Sequence, residues 1–276
     1  MPSPRSRRRR RARLSTAVVV VGVLVFVLAL AGAGYAVLNR AHFDDELAAL
    51  PRPSITATPS ASTPDTAPTS AAPTSTAVPS YAATGPNTYV YAAGQSAVFG
   101  TAGGLQTYRV AIETGTPVPV DTFATMVDTT LSDPRSWIAG NNVRLQRVSG
   151  AAAFTVYLVT PGTAQKLCGA GGFDIFWHGE PYTSCRVGAK VVINITRYLK
   201  SVPNYGASLE EYQRYAINHE VGHALGHGHE LCPGKGKPAP VMQQQTFDLQ
   251  GCTAYFWPYL DNKRYAGPPG RIVPGP

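Results

Sequence analysis

The pattern of apolar and polar positions divides the chain into two regimes. Between Arg13 and Arg40 there is no charged residue, and residues 17–38 are almost wholly Val, Leu, Ala, Gly and Phe. A helix of that length rises about 33 Å, enough to cross the hydrocarbon core of a bilayer. Beyond residue 100 the apolar positions become periodic instead. Tyr108, Val110 and Ile112 alternate with polar neighbours, which predicts a strand with one buried face. Phe123, Met126, Val127 and Leu131 share one face of a helix predicted over 121–131, which Asp133-Pro134 ends. Strands are predicted over 143–148 and 154–160. After the glycine-rich stretch 169–172 come a short edge strand at 182–186 and an interior strand at 190–195. Ser208-Leu209-Glu210-Glu211 is a capping box. It starts a second main helix carrying Tyr212, Tyr215, Ala216, His219, Val221, His223 and Leu225 up to Gly226. The predicted class is α+β: a mixed sheet with two main helices, preceded by one transmembrane helix and a disordered linker.

Composition sets the boundaries. From 51 to 80, twenty of thirty residues are Pro, Ser or Thr. Such a stretch cannot bury enough apolar surface to fold, and its prolines keep it extended. The expected organisation is an arginine-rich cytoplasmic tail at 1–13, a signal-anchor at 14–39, a linker at 40–80 and an extracytoplasmic domain at 81–276. Seven arginines lie in residues 1–13 while the whole chain carries a net charge of +8, so the remainder carries 8 − 7 = +1. The basic balance belongs to the tail and gives no basis for a nucleic-acid-binding domain. Arginines before the span, and few basic residues after it, put the N-terminus inside. Alternatively the span is a signal peptide cleaved near Ala33, giving a secreted protein. Both place the domain outside the cytoplasm.

All four cysteines, Cys168, Cys185, Cys232 and Cys252, follow the span. An even number in an exported segment predicts two disulfides with three possible connectivities. The local pairing, Cys168 with Cys185 and Cys232 with Cys252, is preferred, each bond adding roughly 3 kcal/mol on the chain-entropy view.

The chemistry concentrates in His219-Glu220-Val221-Gly222-His223-Ala224-Leu225-Gly226-His227-Gly228-His229, an H-E-x-x-H-x-x-G-x-x-H run. Residues four apart share a helix face, so His219 and His223 can address one ion while Glu220 stands beside it. A third ligand needs the chain to turn, and Gly226 can adopt the positive φ required. His229 then returns toward the ion. His227 competes for that third place if the helix runs on, but glycines on both sides of it favour His229. Three neutral imidazoles leave one zinc position open, as in catalytic rather than structural sites.

This run resembles the metzincin clan of zinc endopeptidases, named for a methionine turn beneath the metal. Ala239-Pro240-Val241-Met242-Gln243-Gln244 fits that turn, with Met242 as an apolar floor. More of the chain, from about 107 to 258, resembles an actinobacterial family of exported metzincin-like domains known mainly as a domain of unknown function. The phrases that carry this are T-Y-R-V at 107–110, L-S-D-P-R-S-W at 131–137, V-V-I-N at 191–194, V-P-N-Y-G at 202–206, I-N-H-E-V-G-H at 217–223 and A-P-V-M-Q-Q-Q-T at 239–246. The resemblance implies a zincin fold, one catalytic Zn²⁺ and a peptide or protein substrate in the cell envelope or outside it. Glu230 follows the third histidine as a Glu does in astacin-like enzymes; it either keeps their structural role or faces solvent. Tyr255 and Tyr259 stand where some relatives place an oxyanion-assisting tyrosine. The expected activity is zinc-dependent peptide hydrolysis with Glu220 as the base. The alternative is a zinc-binding, non-catalytic envelope module, which would have no use for Glu220.

Overall fold

Three parallel strands carry the sheet. In chain order the elements are β1 (Tyr89–Tyr91), β2 (Gly104–Glu113), α1 (Val120–Ser132), a 3₁₀ turn (Trp137–Gly140), β3 (Val143–Arg147), β4 (Phe154–Val159) and α2 (Pro161–Ala170). They continue with β5 (Phe176–Trp177), β6 (Glu180–Pro181), β7 (Cys185–Val187), β8 (Lys190–Asn194), α3 (Ile195–Lys200), α4 (Leu209–Ala224), β9 (Tyr259–Leu260) and β10 (Lys263–Arg264). The computed structural model describes residues 78–272. The tail at 1–13, the span at 14–39 and nearly all of the linker at 40–80 lie outside them. Among the described residues no helix is long and apolar enough to cross a membrane.

β2, β4 and β8 run parallel at the centre of a six-stranded mixed sheet in the order β1-β2-β4-β8-β7, with β3 paired to the first half of β2. β1 and β7 are antiparallel to their neighbours, and β7 forms one edge. Central parallel strands are covered on both faces, which explains why β2 alternates over Thr107–Val110 and then stops alternating. From Val110 to Glu113 every residue is buried. In β8 the two faces separate cleanly. Val191 and Ile193 enter the main core with Phe123, Val127, Leu131, Ile217 and Val221 of α1 and α4. Val192 points the other way, into a smaller cluster with Ala164 and Cys168 of α2.

The strands expected at 143–148, 154–160 and 190–195 are present with trimmed ends, and α1 covers the helix expected at 121–131. The edge strand sits three residues later than expected, at Cys185–Val187, because pairing with β8 begins only where Cys185 opposes Val192. Two helices were not expected. α2 starts with Thr160 at the N-cap and Pro161 in its first turn; that Pro-Gly pair reads equally as a turn, and the helix has little apolar periodicity. α3 begins where the Asn194 side chain accepts the Thr196 backbone N–H. Asn194 is fully buried there, and its side chain caps the helix.

Both disulfides form with the local pairing, Cys168–Cys185 and Cys232–Cys252. They suit an oxidising, extracytoplasmic compartment.

Candidate metal centre and cleft

α4 is built to a set register before it presents any ligand. Ser208 accepts the Glu211 backbone N–H and the Glu211 carboxylate accepts the Ser208 N–H, closing the capping box. Tyr212 and Tyr215 are buried beneath the helix, and the Tyr215 hydroxyl donates to the Gln243 carbonyl at 3.0 Å. One residue before the first histidine, Asn218 is fully buried. Its side chain accepts from Ser136 Oγ and donates to the Phe256 carbonyl, while its own carbonyl accepts from Trp137 Nε1. Asn218 therefore ties α4 to the segment after α1 and to the C-terminal region at once.

The helix ends in a Schellman motif. The His227 N–H reaches the Gly222 carbonyl and the Gly226 N–H reaches that of His223, with Gly226 at φ +93°. That conformation suits glycine and strains other residues. The chain then reverses and brings His229 back over the helix.

His219, His223 and His229 meet there, with one ring nitrogen from each lying within 4.8 Å of the other two. His223 Nε2 and His229 Nε2 are 3.1 Å apart. Two nitrogens on one tetrahedral zinc, each about 2.05 Å from it, would stand about 3.3 Å apart, so the donor set fits such an ion. His219 Nδ1 faces the Val241 carbonyl and His223 Nδ1 faces the His227 carbonyl, both at 2.8 Å. A carbonyl can only accept, so each ring carries its proton on Nδ1 and keeps the Nε2 lone pair for a metal. Burial lowers the pKa of all three rings, that of His229 to about 4 with further help from the charges of His223 and Arg271. Neutral rings are the form that binds metal.

His227 does not join the group. Its ring stacks on Trp137 at 4.3 Å, and its contribution is the carbonyl that orients His223. Glu220 lines the same cleft, is 5% exposed, and has a buried Oε2 with no hydrogen-bond partner among the described residues. Burial pushes its carboxyl up to about 8. Met242 is fully buried, and its sulfur would stand 2.5 Å from a β-carbon at Gly222, so it packs directly under the helix turn between His219 and His223. Tyr255 and Tyr259 lie elsewhere. The Tyr255 hydroxyl donates to the Tyr259 carbonyl, and the Tyr259 hydroxyl packs against Gly140.

The last residues brace the third histidine from outside. The Gly270 N–H donates to the His229 carbonyl and the Leu231 N–H to that of Pro268. Glu230 is not solvent-facing: its carboxylate pairs with Arg264 at 2.7 Å and accepts the Gly267 N–H. The cleft itself has a volume of about 510 Å³ and is walled by β7, the segment 173–175, α4 and Phe247. Sequence patterns pointed to the three histidines, Glu220, Gly226 and Met242. They did not single out Asn218, Trp137 or Arg186, although the first two fall inside phrases quoted above for the family resemblance.

Residues 76–261 match the family described as "Protein of unknown function (DUF3152)". The chain belongs to this family. The match spans the sheet, α4, all three histidines and the Met242 turn, so the whole candidate centre lies within the family's domain. No curated protein and no solved structure matches the chain.

Proposed function

We propose that this DUF3152 domain is a zinc-dependent peptide-bond hydrolase of metzincin type, held outside the cytoplasm by the span at 14–39. One observation carries the proposal: three metal-ready imidazoles share a cleft with a buried carboxylate that has an unsatisfied oxygen. A structural metal site needs a fourth protein ligand and no base, whereas three ligands and a nearby acid–base group are the parts of a catalytic site. When bound, zinc supplies the Lewis acidity that makes water nucleophilic near neutral pH and polarises a carbonyl.

The chain's own residues supply the rest. Glu220 takes the proton of the attacking water on its carboxylate and passes it to the leaving amine. The Val241 and His227 carbonyls hold two ligand rings in orientation through the cycle. β7 leaves one backbone edge unpaired beside the cleft, and an extended peptide can add to it as a further strand. Met242 packs beneath the helix turn as the apolar floor.

The test is zinc stoichiometry of the purified full chain, together with peptide cleavage by it and by Glu220→Ala. The expected result is one zinc per chain in both, with turnover in the variant lower by about 10²- to 10⁴-fold. Equal zinc and no turnover in either would overturn the hydrolase in favour of a binding module.

A further inference from the structure

Arginines in this domain are held almost without exception. Arg135, Arg147, Arg197, Arg214 and Arg264 each pair with a carboxylate. Arg109 lies over the Tyr91 ring, and Arg144 donates to the Gly103 carbonyl. Arg186 and Arg271 differ: among the described residues neither side chain has an ion pair, hydrogen bond or ring contact, and both residues are exposed. Of the two, Arg186 lines the cleft containing the three histidines, and among the described residues it is the only lysine or arginine to do so.

The backbone beneath Arg186 is fixed. It sits in β7 opposite Val191, next to Cys185, which is buried and bonded to Cys168. The cleft's other acid, Asp174, is engaged elsewhere, with its Oδ1 accepting the Phe176 N–H. Phe173, 51% exposed, Ile175 and Phe247 give the remaining wall an apolar character. An unpaired guanidinium on a rigid strand is a preorganised fork for a carboxylate, which it can bind through two parallel hydrogen bonds.

We infer that Arg186 is a specificity-determining residue that selects peptides bearing a carboxylate close to the scissile bond, with an apolar residue against Phe173 and Phe247. This rests on the hydrolase proposal for the same cleft. The carboxylate can come from an acidic side chain or from a free C-terminus.

The test compares peptides carrying Asp, Asn or Lys in turn at each position flanking the cut, each made C-terminally amidated and as the free acid. With the zinc-loaded full chain, kcat/KM for the best Asp peptide should exceed that of its Asn partner by about 10-fold, the lower end for a charge-assisted hydrogen bond at an exposed site. The ratio should shrink as salt is raised. Arg186→Gln should bring the ratio to about 1, and Arg186→Glu should favour Lys over Asp. An Asp-over-Asn preference kept in amidated peptides assigns the side chain as the source; a preference for the free acid over the amide, whichever residue is present, assigns the terminus. A parallel arm measures peptide binding to zinc-loaded Glu220→Gln by fluorescence anisotropy. If no peptide is cut, the hydrolase proposal fails, yet the Asp-to-Asn ratio of Kd values still reads the role of Arg186. Equal handling of Asp and Asn together with equal handling of free acid and amide in both arms, or a preference that survives Arg186→Gln, overturns the inference.

Discussion

Gly222 lies inside the histidine motif at a position the motif leaves unspecified, yet the fold leaves it little freedom. A β-carbon there would stand 2.5 Å from the Met242 sulfur and 2.6 Å from the Trp137 ring. We expect Gly222→Ala to cost about 1–3 kcal/mol by overpacking, seen as a lower Tm, and to weaken zinc retention in a chelator competition. Glu113 shows a second residue-scale effect, away from the cleft. It is fully buried, and burial alone would raise its pKa. Hydrogen bonds from Thr163, Thr160 and the Asn87 backbone outweigh burial and hold it below 4.5. Because the folded value is the depressed one, this contribution is present above about pH 4.5 and disappears as pH falls through the folded value. Glu113→Gln should therefore lower stability by about 1–3 kcal/mol at pH 7. The gap from wild type should close as the pH falls below 4.5, measured by thermal unfolding of chelator-stripped protein so that metal release plays no part. His219, Glu220 and His223 were legible because their spacing is a helical repeat, and His229 because Gly226 marks the turn that returns it. Arg186 and Asn218 were not, since their roles depend on partners far away in the chain.

Elements were legible where one face is buried and the period is therefore clear. α1 and β4 follow their apolar periodicity to within a residue or two, and β8, covered on both faces, was marked instead by its unbroken apolar run. α2 escaped because its short length and Gly-rich end carry no such period, and its role is to cover the far face of the sheet over Val192. The loop that ends α4 is the element most exposed to test. No atom lies within 4 Å of a β-carbon built on Gly226, so Gly226→Ala meets no clash and pays only for its positive φ. About 1–2 kcal/mol of strain is expected at that residue. Because the strain falls on the turn that returns His229, zinc affinity should drop by about 10-fold, measured by competition with a chromophoric chelator. Replacing Cys232 and Cys252 together with serine should cost about 2–4 kcal/mol in unfolding experiments, since the bond closes a loop around the Met242 turn.

At the scale of the molecule, the sequence indicated an α+β domain with a mixed sheet but not how its far ends meet. Asn218, Ser136, Trp137 and Phe256 are joined in one hydrogen-bonded knot across sequence gaps that no local pattern encodes. The same holds for the segment that reaches back from Arg264 to Gly270 and fastens the backbone of His229 and Leu231 and the carboxylate of Glu230. A chain stopped after residue 263 keeps every ligand but loses these fastenings. We expect it to retain its far-ultraviolet circular dichroism while binding zinc at least about 10-fold more weakly than the complete chain. The bracing residues 264–270 lie later in the chain than all three histidines, so the motif is complete before the third ring is steadied. A polypeptide broken between residues 230 and 264 would carry every imidazole, with the last of them unbraced.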